Sequence, residues 1–283
     1  MSKANFVGLI KLLRLPYWLM TGGLSLLTLL ALSGGRADIP TSLLTFLSLA
    51  LLSSAGFSIN DYFDRESDAI IKPSRPIPHG EVSPKMAIAV SIILFALSIF
   101  LSALINWLCM FIALIDALFL IVYSAYIKRR SGLVANILVG CLTGTAFLYG
   151  EAAGFEAITL TSLSIYPLCF GTIGGNILRD ILSLDGDSKV GYPTLPMKVG
   201  IKKSAKVAVF FFLLCAFLTP LPYILRFFGE AYLVLMLLWS IIIISSSISI
   251  LMSPSPSGIR RNERLITMAM ILIPIALTIE VFL

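Results

Sequence analysis

The sequence predicts an all-α polytopic membrane protein with nine transmembrane helices, and three observations lead there. The chain is 58% hydrophobic and 13% charged, whereas a soluble domain carries about 25% charged residues. Its apolar residues gather into nine runs, each near the ~20 residues that a helix needs to cross the hydrocarbon core. The basic residues then fall almost wholly on one side of the plan those runs define. With the N-terminus inside, Arg36 and Arg226 are the only two of the 21 Lys and Arg residues left outside, which is a strong positive-inside bias.

The runs cover 17–33, 42–60, 86–105, 107–127, 132–150, 158–182, 205–225, 231–252 and 265–283. The first follows a basic stretch ending at Arg14, too quickly for a cleaved signal peptide. The third and fourth are separated only around Asn106, and fusing them would scramble the charge asymmetry. Asp116, in the middle of the fourth, must be neutral or paired inside the bundle. The fifth and sixth carry the small-residue pairs Gly140/Gly144 and Gly171/Gly175, which permit close helix contact. The sixth turns polar toward its inner end, where Thr172, Asn176, Arg179 and Asp180 should face the bundle interior. Glu151 and Glu156 read as a solvated outer loop. Cys109, Cys141, Cys169 and Cys215 lie inside spans without paired spacing and read as small apolar fillers. No connection is long enough for a second domain, so residues 1–283 read as a single membrane-embedded unit.

Chemistry concentrates where the second span meets water. Asn60, Asp61, Asp64 and Asp68 follow the apolar run, and on a helix the three carboxylates lie within about 60° of one another. Such a stripe repels itself unless a cation sits among its oxygens. Carboxylate and amide oxygens are hard ligands suited to Mg²⁺, which takes one or two protein carboxylates and fills its remaining positions with phosphate oxygens. Four spans later a second inner loop repeats the pattern, with Asp180, Asp185 and Asp187 followed by Lys189 and prolines. The first loop likewise runs through Lys72 and Arg75 to Gly80. This spacing predicts a parallel pseudo-repeat of spans 1–4 and 5–8, which puts both acidic loops on one side.

Two facing acidic clusters can hold two Mg²⁺ ions and therefore a diphosphate, with Lys72, Arg75, Lys128, Arg129 and Lys189 to bind its other oxygens. A diphosphate neutralised in this way is a good leaving group. If the departing carbon is allylic, aromatic faces stabilise the cation that forms, and Tyr62, Phe63, Tyr123, Tyr126, Phe147 and Tyr149 lie near the relevant ends. His79, the only histidine, lacks companions for a metal site and reads as part of the solvated proline-rich loop. The net charge of +6 reflects topology and anionic lipid or substrate, not nucleic acid.

The string Asn60-Asp-Tyr-Phe-Asp64-Arg-Glu-Ser-Asp68, followed by Lys72-Pro-Ser-Arg75-Pro, resembles the first acidic motif of the UbiA-type intramembrane prenyltransferases. Tyr123 to Arg129, Asn136, Gly186-Asp187 to Gly191 and Thr194-Leu-Pro resemble later parts of that family in the same order. The resemblance implies a helical bundle around a central cavity open to lipid, an Mg²⁺-dependent site and prenyl transfer from an isoprenyl diphosphate. It implies metal ligands at Asn60, Asp61, Asp64, Asp68, Asp180 and Asp187. It further implies substrate contacts at Asn60, Lys72, Arg75, Tyr123, Lys128, Asn176 and Lys189. The acceptor proton can go to Asp61, to Asp64 or to solvent. One departure stands out, because Ser183 occupies a position where the family usually has an acid.

The compact length and the wording of the first motif look most like the branch that makes archaeal ether lipids. In that branch a geranylgeranyl group moves to the free hydroxyl of geranylgeranylglyceryl phosphate. The expected partners are therefore an isoprenyl diphosphate, a lipid acceptor and membrane lipids. The expected location is the cell membrane, with the N-terminus and active-site loops cytoplasmic and the C-terminus outside. An aromatic quinone precursor is the alternative acceptor. A polyprenyl-phosphate transporter is the alternative of another class, disfavoured because the acids crowd one interface instead of the midplane.

Overall fold

The computed structural model describes residues 3–283, and side chains from residue 6 onward. Met1, Ser2 and the side chain of Lys3, part of the expected inner N-terminus, lie outside the described residues. The described residues are helical with short connections. Eight helices are long and apolar enough to cross a membrane, over Phe6–Leu32, Ile39–Ile71, Pro84–Ile105, Trp107–Arg129, Gly132–Phe155, Ile201–Ile224, Glu230–Met252 and Pro256–Glu280.

The expected sixth span is the exception. It is divided into α7 (Leu160–Ile165), a 3₁₀ turn over Tyr166–Leu168 and α8 (Cys169–Leu182). Pro167 sits in the turn, where it cannot donate a backbone hydrogen bond. Among the described residues, eight of the nine apolar runs thus correspond to segments long and apolar enough to span, and the sixth is split at Pro167.

The other elements are α1 (Lys3–Leu13), α2 (Trp18–Leu32), α3 (Ile39–Ile71), α4 (Pro84–Ile105), α5 (Trp107–Ala125), α6 (Gly132–Phe155), α9 (Leu184–Val190), α10 (Leu195–Leu218), α11 (Leu221–Ile224), α12 (Glu230–Met252), α13 (Pro256–Ala269) and α14 (Leu272–Glu280). The turn between α4 and α5 is a single extended residue, Asn106. Its Oδ1 accepts from Cys109 N at 2.8 Å to cap α5, and its Nδ2 donates to Ala152 O at 2.8 Å.

Burial gives the bundle two large cores and a small third cluster of Leu12, Ile77, Val82 and Ala87. Ile173, Ile177, Phe212, Met236, Trp239 and Ile243 pack α8, α10 and α12 together. Leu49, Leu52, Phe95, Cys109 and Tyr149 pack α3, α4, α5 and α6 together. Helix α6 contributes to both, with Phe147 in the first core and Tyr149 in the second.

Serines replace apolar bulk where α3 is closely covered. Ser91 Oγ donates to Ala55 O at 2.8 Å, and Ser98 Oγ to Ser48 O at 2.7 Å. Gly140 lets α8 approach α6, since a Cβ there would stand 2.2 Å from Ile173 Cγ1. The pair Gly171/Gly175 is not such a contact. Its would-be Cβ atoms meet nothing nearer than 3.6 and 3.4 Å, and the close approach falls instead on Gly174 against Phe212 and Ala208 O.

Glu151 also departs from the sequence reading. It is buried and accepts from Thr159 N at 2.8 Å, from Thr159 Oγ1 at 2.5 Å and from Ser162 Oγ. A solvated loop residue has become the group that organises the start of α7. Asp116 meets its expectation, because Thr145 Oγ1 donates to its Oδ2 at 2.6 Å inside the bundle.

Candidate active site

Helix α3 carries the site because it does not stop at the membrane surface. Its 33 residues span about 50 Å at the usual rise, against a hydrocarbon core of about 30 Å. The last turns therefore stand clear of the lipid as a rigid post, with Asp61, Asp64 and Asp68 buried on one face.

Every one of those carboxylates has a cation on it. Arg14 donates to Asp61 Oδ1 at 2.5 Å. Arg75 Nη1 reaches Asp61 Oδ1 at 2.9 Å and Asp68 Oδ2 at 2.6 Å. Lys128 donates to Asp64 Oδ2. Asn60 Nδ2 also donates to Asp64 Oδ2 at 2.8 Å, which leaves Asn60 Oδ1 buried and without a hydrogen-bond partner. A buried acceptor left unpaired is uncommon in a folded protein.

The second loop reaches across to this post. Gly132 N donates to Pro193 O at 2.9 Å, and a Cβ on Gly132 would lie 2.7 Å from Thr194 Cα, so only glycine admits the crossing chain. That crossing delivers Tyr192, whose hydroxyl donates to Asp64 Oδ1 at 2.9 Å and lies 2.7 Å from Ser67 Oγ. Lys128 Nζ stands 5.2 Å from the Tyr192 ring centroid. Burial pushes the Tyr192 hydroxyl above its ordinary value, so it remains a donor at neutral pH.

Asp180 accepts from Asn136 Nδ2 at 2.7 Å. Ser183 ends α8, and its Oγ donates to Asp187 Oδ2 at 2.6 Å. A hydroxyl thus orients the second carboxylate where an acid would have repelled it.

Two cavities meet here. An apolar one of ≈ 450 Å³ is lined by Leu49, Leu52, Leu120, Val139, Leu142 and Ala146, with Asp116 and Thr145 in its wall. A polar one of ≈ 270 Å³ lies between Asp64 and Asp68 on one side and Asp180 and Asp187 on the other. Lys72, Arg75, Tyr123, Lys128 and Arg179 line both and form the neck between them. Burial, and then the charge of Arg75, hold the Lys72 ammonium below its ordinary value.

Most of the expected residues are gathered at these cavities. Asn60 lines the apolar one, and Asp64, Asp68, Asp180 and Asp187 line the polar one. Asp61, Asn176, Arg129, Asp185 and Lys189 line neither. Asp61 is taken up by Arg14 and Arg75, Asn176 Oδ1 accepts from Arg179, Arg129 donates to Phe63 O, and Lys189 is exposed on α9.

Of the six aromatics expected around the reacting carbon, Tyr123 alone lines either of these two cavities. Phe147 and Tyr149 are packed into the two cores, and Tyr126 lies under Arg130. Tyr17 and Phe57 supply the aromatic wall instead, with ring centroids 4.6 Å apart and Arg14 over Phe57.

Arg14, Tyr17, Phe57, Arg179 and Tyr192 are thus site residues that sequence reasoning did not assign. Arg14 had read as an inner-side anchor. Its one signal was its place directly before the Pro16 turn that opens the first span.

The chain and its fold have counterparts in known proteins. The chain is 39% identical over 230 residues to a digeranylgeranylglyceryl phosphate synthase of Natronomonas pharaonis, covering 81% of this chain and 82% of that one. It is 33% identical to the synthase of the same name from Methanopyrus kandleri, covering 85% and 87%. A solved structure concerned with digeranylgeranylglyceryl phosphate synthase in membranes superposes with a TM-score of 0.85 at 32% identity, over 98% of this chain and 99% of that one. A UbiA homolog from Archaeoglobus fulgidus, bound to DMAPP and Mg²⁺, shares the fold with a TM-score of 0.69 at 20% identity, over 94% and 98%. The model of the UbiA prenyltransferase family matches residues 19–272. The chain is an integral membrane protein and belongs to the UbiA prenyltransferase family.

Proposed function

We propose that this chain transfers a geranylgeranyl group from geranylgeranyl diphosphate to the free hydroxyl of geranylgeranylglyceryl phosphate, in archaeal ether-lipid synthesis. One observation carries the reading. A polar cavity between two acidic clusters opens through a basic neck into an apolar cavity, which matches a donor with a diphosphate head and a hydrocarbon tail. The names and extent of the relatives support the choice of lipid acceptor.

The residues fit Mg²⁺. Asn60 Oδ1 is an unpaired buried oxygen beside Asp64, and the neighbouring donors are carboxylates. Among the described residues no compact group of three His, Cys, Asp or Glu side chains forms a cation cage. That sparseness suits an ion which completes its shell with phosphate oxygens and water. Asn60, Asp64 and Asp68 would hold one ion, and Asp180 and Asp187 a second. When bound, the metal supplies positive charge to the departing diphosphate.

The protein's own part is an exchange of partners. Arg75, Lys128 and Arg14, held on carboxylates in the free site, turn to phosphate oxygens when the donor binds, and Lys72 adds a further charge from the neck. The bond between donor C1 and its diphosphate oxygen breaks, and a bond between C1 and the acceptor oxygen forms. Tyr123, Tyr17 and Phe57 face the positive charge that develops at C1. The acceptor proton goes to Asp64, the acid that lines the polar cavity, or to solvent; Asp61 orients Arg14 and Arg75.

The concentration of Lys and Arg at this end supports a cytoplasmic site, an inner N-terminus and an outer C-terminus, with residues 1–283 acting as one unit. The deciding experiment incubates purified protein with labelled geranylgeranyl diphosphate, Mg²⁺ and a panel of acceptors. Prenylated glyceryl phosphate lipid is expected, together with its loss in Asp64→Ala. Turnover of 4-hydroxybenzoate or a naphthoate, without the lipid, would overturn the acceptor.

A further inference from the structure

Two anionic head groups share this mouth when the proposed reaction runs, the donor diphosphate and the acceptor phosphomonoester. Their charges repel, so each needs cations of its own. Arg14, Arg75 and Lys128 all sit on carboxylates of α3, and Lys72 follows the end of that same helix beside Arg75.

Arg179 stands apart from this group. It lies on α8 and lines both cavities, yet its guanidinium is held by groups outside both acidic stripes. Nη1 donates to Asn176 Oδ1 at 2.9 Å, and Nε donates to Glu263 Oε1 at 3.2 Å. The two bonds fix the plane of the fork and leave Nη2 uncommitted. Gly175, one turn earlier, keeps that face uncovered, since a Cβ there would stand 3.4 Å from Nη2. The side chain is 53% exposed. A braced guanidinium with Nη2 free can donate a charge-assisted hydrogen bond to a phosphate oxygen.

We infer that Arg179 anchors the phosphomonoester of the lipid acceptor, while the cations of α3 and its neighbours hold the donor diphosphate. The inference rests on the acceptor proposed above. Asn176 and Glu263 are positioning residues, and Glu263 brings the brace from α13, in the C-terminal part of the chain. With its phosphate held on α8, the acceptor presents the hydroxyl of the same glycerol unit to the neck. Separate anchors for the two head groups also allow the site to discriminate an acceptor with a phosphate from one without.

The test is steady-state kinetics of the full-length protein in lipid nanodiscs, varying donor and acceptor separately at saturating Mg²⁺. Arg179→Gln should raise the acceptor KM about tenfold or more, with the donor KM held within about twofold. Arg179→Lys, which keeps the charge but not the fork, should recover part of the loss. With a glyceryl ether acceptor carrying a hydroxyl in place of the phosphate, wild type and Arg179→Gln should be equal in kcat/KM. A donor KM that rises as far as the acceptor KM, or equal losses on both acceptors, overturns the anchor and leaves the proposed acceptor standing. Wild-type protein that prenylates only aromatic acceptors removes the proposed function, and the anchor with it.

Discussion

Tyr192 donates its hydroxyl to Asp64 Oδ1 at 2.9 Å, across 128 positions of sequence. The two acidic segments are thereby tied together before any ligand arrives, and the tie involves the carboxylate shared by Lys128 and Asn60. Replacing Tyr192 by Phe keeps the ring beside Lys128 and removes only the hydroxyl. A hydrogen bond to a charged partner contributes about 1.5–3 kcal/mol. The donor KM should therefore rise about tenfold, with a smaller change in kcat. Initial rates at varied diphosphate concentration check this, and an unchanged donor KM would show the tie to be dispensable.

Ser183 tests the weaker acidic cluster. Its hydroxyl holds Asp187 Oδ2 at 2.6 Å, so Ser183→Ala should free that carboxylate and raise the Mg²⁺ concentration needed for half-maximal rate by about twofold to fivefold. Ser183→Asp adds a ligand one turn from Asp187 and should lower that concentration. Mg²⁺ titration of activity reads both, and the two variants should move in opposite directions.

Lys72 carries a pH signature. Burial and the adjacent Arg75 hold its ammonium below the ordinary lysine value. Its charge is therefore lost, as pH rises, sooner than an ordinary lysine would lose it. Donor affinity should weaken on the alkaline side, with the donor KM climbing. Arg at this position stays charged throughout, so Lys72→Arg should flatten the profile. An alkaline limb identical in both proteins would assign that limb to another group.

Glu151 separates stability from chemistry. Its carboxylate is 3% exposed and accepts three hydrogen bonds at the start of α7. Glu151→Ala should destabilise the fold by about 2 kcal/mol through unpaired donors. The loss should appear as a lower Tm in detergent, with the donor KM of the surviving protein unaltered.

What could be read from the chain depended on the kind of signal. The hairpin at Asn106 was legible because charge asymmetry required a turn there, and a lone polar residue marked it. The stripe on α3 was legible because helical period alone brings its acids together. Arg14 and Tyr192 were not, because each reaches Asp61 or Asp64 through tertiary folding, across 47 and 128 positions. The break at Tyr166–Leu168 was also hidden, since hydropathy averages over a run and does not register one proline within it. The aromatics failed for a related reason. Which side of α6 faces a cavity is decided by two cores packed on opposite sides, and Phe147 and Tyr149 belong to those cores.

The unbroken length of α3 reaches beyond the site itself. One rigid rod runs from Asp38, which caps it at the far end, to the acids near its tip. Its apolar portion must match the surrounding hydrocarbon, and a helix answers a change in bilayer thickness by tilting. Tilt at the lipid becomes displacement at the tip, where Asp64 and Asp68 face Asp180 and Asp187. Membrane thickness is in this way a mechanical input to the spacing of the two acidic clusters. A protein that builds membrane lipid is then geared to the membrane it builds.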